Sequence, residues 1–126
     1  AIATSAEYLF MYADHVIKGP FPEGEKAIAK DANYSLLYAD HVLKGPFPKG
    51  EAAIATVPEF SFRYALSCLK GPFPKGEDII AKDSFFAYQY ACDVLKGRFE
   101  AGEDAIRKKD RIVEKYKKLT GIDLSK

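Results

Sequence analysis

The chain of 126 residues carries 19 lysines and arginines against 18 aspartates and glutamates, for a formal net charge of +1, and 48% of it is hydrophobic and 13% aromatic. That balance provides no global field to draw nucleic acid or an anionic membrane, nor does it resemble a DNA mimic. The apolar content is too high for a disordered chain. No apolar run nears the roughly 20 residues of a membrane helix, and no charged-then-apolar leader is read, so a soluble, cytoplasmic protein is expected. The two cysteines, Cys68 and Cys92, fall at different positions of the repeat described next, which is not how a disulfide framework or a zinc site is written.

The stretch Lys44-Gly45-Pro46-Phe47-Pro48-Lys49-Gly50-Glu51 has close copies beginning at Lys18, Lys70 and Lys96. The spacing divides the chain into four 26-residue units, 5 to 30, 31 to 56, 57 to 82 and 83 to 108, followed by 109 to 126. Ala1-Ile2-Ala3-Thr4 matches Ala53-Ile54-Ala55-Thr56, so residues 1 to 4 read as the tail of a partial repeat. A period in the twenties predicts one elongated domain in which each unit touches only its neighbours.

Each unit opens on a helix start. Ser5 and Asp31 suit the N-cap, and Thr4-x-x-Glu7 and Thr56-x-x-Glu59 read as capping boxes. In unit two the first helix is predicted from about Ala32 to Lys44. Its apolar residues Tyr34, Leu36, Tyr38, Ala39, Val42 and Leu43 spread over more than half the circumference, the pattern of a helix held between neighbours. Gly45 is expected in the left-handed conformation that ends the helix, with Pro46 forbidding continuation. Phe21, Phe47, Phe73 and Phe99 should fold back onto the core. Pro48 and Gly50 suit the second and fourth places of a tight turn. A second helix from roughly Glu51 to Ala55 is too short to stand alone and is anchored by Ile54. Glu25, Glu51, Glu77 and Glu103 begin these short helices and Lys18, Lys44, Lys70 and Lys96 end the long ones, both favoured by the helix dipole. In residues 109 to 126, Tyr116 keeps the place of Tyr12, Tyr38, Tyr64 and Tyr90 while most neighbours become charged, as in a capping helix.

The unit Tyr38-Ala39-x-x-Val42-Leu43-Lys44-Gly45-x-Phe47-Pro48-x-Gly50-Glu51-x-x-Ile54-Ala55 resembles tandem repeats of bacteriophage, large-virus and some bacterial proteins. The resemblance implies an all-α fold, an α-solenoid of helix-turn-short-helix repeats in the broad company of tetratricopeptide and HEAT arrays, located in a host cytoplasm if viral. It implies no activity. The period differs from the roughly 34 and 40 or more residues of those arrays, so no binding residue carries over from them.

His15 and His41 each follow an aspartate, but adjacent helical residues point about 100° apart, so Asp14-His15 and Asp40-His41 are not oriented dyads. One repeat, roughly 10 Å, separates the two histidines, too far to share a metal. Cys68 takes the place of Val16, Val42 and Val94 and reads as a small buried hydrophobe. Cys92 takes the place of Asp14 and Asp40, reads as more exposed, and is not expected to act as a nucleophile. Tyr8, Tyr34, Phe60 and Phe86 with Tyr12, Tyr38, Tyr64 and Tyr90 read as core instead of base-stacking platforms.

The informative positions are those where the repeats disagree on the polar face: Met11, Leu37, Arg63 and Gln89 beside Asp14, Asp40, Leu66 and Cys92. Apolar residues there would form a stripe for a protein partner. Self-association through an uncapped N-terminal face is a further expectation. The alternative is nucleic-acid binding through Arg107, Lys108, Lys109, Arg111, Lys115, Lys117 and Lys118. Catalytic, metal and cofactor sites are not expected.

Overall fold

A computed structural model describes residues 5–125 of the chain; the partial repeat at residues 1–4 and the Thr4 half of the first capping box lie outside them. The described residues are helical, with no strand among them. In unit one, α1 (Ala6–Met11) runs on into a wider π-helical stretch, Tyr12–Ile17, and α2 (Pro22–Ile28) follows the corner. Unit two repeats this with α3 (Ala32–Leu37, then π from Tyr38–Leu43) and with α4, where a 3-10 turn Pro48–Gly50 leads into Glu51–Ile54. Units three and four contain α5 (Pro58–Arg63, π from Tyr64–Leu69), α6 (Pro74–Ile80), α7 (Ser84–Gln89, π from Tyr90–Leu95) and α8 (Glu100–Gly102, then Glu103–Ile106). The chain closes on α9 (Asp110–Thr120), which ends at the left-handed Gly121. Close packing runs within a unit or between one unit and the next: α1 on α3, α3 on α5, α5 on α7 and α7 on α9, with the π stretches meeting likewise.

The starts of the long helices follow their caps. Ser5, Asp31 and Asp83 each accept a hydrogen bond from the amide three residues on. The Thr56 capping box does not form. Val57 is the N-cap there, and the Thr56 hydroxyl instead donates back to the Ala53 carbonyl at 2.7 Å, closing the preceding short helix.

The expected long α-helix holds only for its first half, and the end of the helix also corrects the expectation for Gly45. The residue with positive φ is Lys44, at 54°, with Lys18, Lys70 and Lys96 at 55 to 57°. The lysines therefore provide the left-handed turn itself and do not merely complement a dipole. The wide last turn is what makes this possible: the amides of Lys18 and Gly19 both reach the carbonyl of Ala13, at 2.7 and 3.3 Å, and the other units repeat this on Ala39, Ala65 and Ala91. One carbonyl with two lone pairs absorbs both end-of-helix donors. All four alanines are fully buried.

The glycine that geometry requires is the one three residues after the phenylalanine. The Gly50 amide donates to the Phe47 carbonyl at 3.0 Å, the tight turn the sequence predicts, which folds the Phe47 ring across the Gly50 α-carbon. A β-carbon at Gly50 would lie 2.6 Å from Ser35 Oγ and 2.7 Å from the Phe47 ring. Gly24, Gly76 and Gly102 make the same close approach to Phe21, Phe73 and Phe99. At Gly45 a β-carbon would meet only the Leu43 carbonyl, at 3.9 Å. Phe47, Phe73 and Phe99 are buried as expected, and Ile28, Ile54, Ile80 and Ile106 have no exposed surface.

Successive units are joined by a tyrosine. The Tyr38 hydroxyl accepts from the Phe21 amide at 2.8 Å and donates to Glu25 Oε2 at 2.7 Å, so a side chain of unit two ties the corner of unit one to the start of its short helix. Tyr64 does the same for Phe47 and Glu51, Tyr90 for Phe73 and Glu77, and Tyr116 of α9 for Phe99 and Glu103. The glutamates, expected to serve the dipole, thus also hold the next unit. Each ring lies 4.9 Å from the phenylalanine of its own unit in the pairs Tyr38–Phe47, Tyr64–Phe73 and Tyr90–Phe99. Burial comes first among the causes that raise the hydroxyl pKa of Tyr38, Tyr64 and Tyr90 and push that of Tyr116 up to about 12. Hydrogen bonding to a carboxylate adds to it.

Gly50→Ala is expected to cost about 1–3 kcal/mol by overpacking, whereas Gly45→Ala changes stability by less than about 0.5 kcal/mol; urea unfolding of both variants measures the contrast. Tyr64→Phe should cost about 1–3 kcal/mol at neutral pH, because it strands the Phe47 amide. A raised pKa makes the latch stability complete below the ordinary tyrosine value near 10 and lost as pH rises beyond it. Unfolding measured from pH 8 to 11 should therefore steepen above pH 10 by up to about 1.4 kcal/mol per pH unit for each tyrosine, and Tyr64→Phe should lower that slope.

Candidate partner-binding surface

The variable row along the long helices does not form one continuous stripe. Four of its eight residues come together: Leu37 and Asp40 of α3 with Arg63 and Leu66 of α5 line an open groove of about 430 Å³, whose floor is Leu36 and Phe62 and whose edge includes His41 and Ser67. The spacing that produces it is the pairwise packing of α3 on α5. Leu37 is half-buried against the core, and Leu66 remains 41% exposed. Arg63 is held along the wall by Glu59, Nη2 to Oε2 at 2.8 Å, an i,i+4 pair on the same helix.

Met11 is exposed on unit one. Asp14 lines a separate hollow between units one and two with Lys18, Pro20, His41 and Lys44. Gln89 and Cys92, both half-buried, lie outside the groove. Leu66 also borders a hollow with Lys70, Asp93 and Lys96 between units three and four.

The Asp-His neighbours are closer than their separation around the helix suggests. His15 Nε2 stands 3.7 Å from Asp14 Oδ2, and His41 Nε2 stands 3.8 Å from Asp40 Oδ2, within ion-pair range but beyond a hydrogen bond. The His41 ring is also edge-on to Phe10 of unit one, 6.0 Å away. Among the described residues no three histidine, cysteine or acidic side chains are grouped to hold a metal. The Cys68 thiol is buried as expected, which together with the charge of Asp40 pushes its pKa up to about 11; it stays protonated at neutral pH. Val16, read as its core equivalent, is 62% exposed on unit one.

The basic residues of the C-terminal region, Arg107, Lys108, Lys109, Arg111, Lys115, Lys117 and Lys118, are all exposed. They do not form a uniform cationic face. Arg107 pairs with Asp104 at 2.8 Å and Lys117 with Asp123 at 3.6 Å, while Asp110 and Glu114 interrupt the helix surface. Val113 and Tyr116 point inward, so α9 is a one-sided cover. Beneath it Glu103 is nearly buried. Burial alone would raise its pKa, but hydrogen bonds from Arg98 at 2.8 and 3.1 Å and from Tyr116 at 2.7 Å, together with the Arg98 and Arg107 charges, outweigh that and hold it below the ordinary carboxylate range.

The tyrosine latch is the feature that sequence reasoning missed. Its signal was present as two invariant rows, glutamate and tyrosine, separated by 13 residues in all four junctions. Among the described residues, no helix is long and apolar enough to cross a membrane. No protein-family model, curated protein or solved structure matches this chain.

A depressed carboxylate contributes stability that is present above the ordinary carboxylate pKa and lost as pH falls through the folded value. Arg98→Gln removes the main opposition to burial at Glu103, so the acid-unfolding midpoint followed by circular dichroism should move to higher pH. An unchanged midpoint would contradict the assignment of Arg98.

Proposed function

We propose that this chain is a non-enzymatic α-solenoid of 26-residue repeats that binds a protein partner in the groove between units two and three. The observation that carries the reading is Leu66. Units one and two have Asp14 and Asp40 at its position, yet unit three presents an exposed leucine beside Leu37, over a floor of Leu36 and Phe62. An apolar strip with a charged edge, Arg63 on one side and Asp40 on the other, suits an amphipathic helix or an extended peptide with one apolar anchor and both charges nearby. The scaffold itself requires no leucine there, since the equivalent unit-one and unit-two positions pack with aspartate.

The cap supports a nucleic-acid reading less well. Its cations alternate with acids, and two of them are engaged in ion pairs, whereas phosphate binding needs several free charges aligned on one face. The resemblance to phage and viral repeats and the cytoplasmic setting belong to this same proposal and rest on the repeat sequence.

Leu66→Asp restores the residue that the array itself uses, so the melting temperature should stay within about 2 °C. A photo-crosslinking residue placed at Ser67 should capture a discrete protein from an extract of the source cell, and Leu66→Asp should reduce that capture at least about tenfold, equivalent to about 1.4 kcal/mol. Capture indifferent to Leu66 would overturn the groove as the site.

A further inference from the structure

Unit one contains a complete copy of the latch tyrosine with no corner latched to it among the described residues. Tyr12 rests on the phenylalanine of its own unit, Phe21, at 5.3 Å, the seat that Tyr38, Tyr64 and Tyr90 occupy on theirs. Those three and Tyr116 are fully buried under the preceding corner, but Tyr12 is 37% exposed and its hydroxyl has no hydrogen-bond partner among the described residues. The positions around it follow the same rule. Tyr8, Val16 and Ile17 are exposed, whereas Tyr34, Val42 and Leu43 of unit two are half-buried against the core. The exposed patch is therefore the same surface that, three times over, covers a Phe-x-x-Gly-Glu corner within this chain.

We infer that the Tyr12 face is a docking site for one further repeat unit of this chain's own type, placed ahead of unit one, whose corner gives its phenylalanine amide and its glutamate carboxylate to the Tyr12 hydroxyl. A second copy of the chain does not fit without rearrangement, because its four corners are already occupied by Tyr38, Tyr64, Tyr90 and Tyr116.

The charges narrow the occupant further. At the first two junctions the corner glutamate also receives a lysine from the unit that follows, Lys49 on Glu25 and Lys75 on Glu51, each at 3.0 Å. Unit one has Glu23 at that place. The third junction has Ala101 there, and Glu77 holds its tyrosine without a lysine; an incoming carboxylate would instead meet a like charge in Glu23, which a cation in its own corner offsets. Glu103 has such a cation already in Arg98, which replaces the proline of the other corners. The docked unit accordingly carries a Gly-Arg-Phe corner in preference to Gly-Pro-Phe.

The test extends the full chain. Placing a second copy of residues 31–52 ahead of Ala1 regenerates a whole unit, because Ala1-Ile2-Ala3-Thr4 is identical to Ala53-Ile54-Ala55-Thr56. Two versions are compared, with proline or with arginine at the place of Pro46 in the added unit, each with Tyr12 or with Tyr12→Phe. The expected result is a melting temperature at least about 4 °C above the parent, higher for the arginine corner, with Tyr12→Phe lowering it in the extended chains and leaving the parent unchanged. An extension without effect, or a Tyr12→Phe change that is equally silent in both contexts, overturns the proposal. So does concentration-dependent dimerisation of the unextended chain in sedimentation that Tyr12→Phe abolishes, since the face would then belong to a second copy. The Leu66 groove enters none of these measurements, so its failure as a partner site and the failure of this inference are read separately.

Discussion

Each junction between units closes on one tyrosine hydroxyl. A phenylalanine that turns inward at the corner carries its own amide to a place where neither helix can satisfy it, and a buried orphan donor costs on the order of 1–3 kcal/mol. The next unit's tyrosine removes that penalty and donates its own hydroxyl hydrogen bond to the glutamate at the start of the short helix. The bond pair is thus an obligation created by unit n and met by unit n+1. It explains why the tyrosine, the phenylalanine and the glutamate recur together, and why the C-terminal helix retains Tyr116 when most of its other repeat features have gone.

The π-helical second half of each long helix serves the same end. A wider turn allows a single buried alanine carbonyl to gather the last two amides and tips the chain into the corner through a left-handed lysine. A left-handed conformation costs a non-glycine residue roughly 1–2 kcal/mol. Four repetitions of that cost indicate a geometry the junction requires, because an ordinary α-helical end would aim the following phenylalanine elsewhere. The glycine next to the lysine has a different task from the one its motif suggests. Glycine is needed for space only where the phenylalanine ring lies flat across the chain, at Gly24, Gly50, Gly76 and Gly102.

Much of the fold was legible in the sequence because the repeat makes each inference four times. The helix starts at Ser5 and Asp31, the tight turn at Gly50 and the inward phenylalanines all follow from spacing and local propensity. What was not legible depends on hydrogen-bond register. Nothing in the composition of Tyr38–Leu43 distinguishes i→i−5 from i→i−4 bonding, so the left-handed residue was assigned one place too late, to the glycine that statistics favour. The latch was hidden because its partners lie 13 and 17 residues apart in sequence, and each has a sufficient local explanation. For the partner surface, only the disagreement between repeats pointed to Leu66. That Leu37, Asp40 and Arg63 join it while Met11 and Gln89 do not follows from how α3 settles on α5.

The constancy of the 13-residue reach has a consequence for how such a chain can change its length. Loss or duplication of any 26 consecutive residues inside the array, wherever the break falls, rejoins a tyrosine to a corner at the same distance. The products keep each remaining latch of tyrosine, phenylalanine amide and glutamate matched. Length can then drift in whole units while individual surface positions, Leu66 among them, are free to specialise.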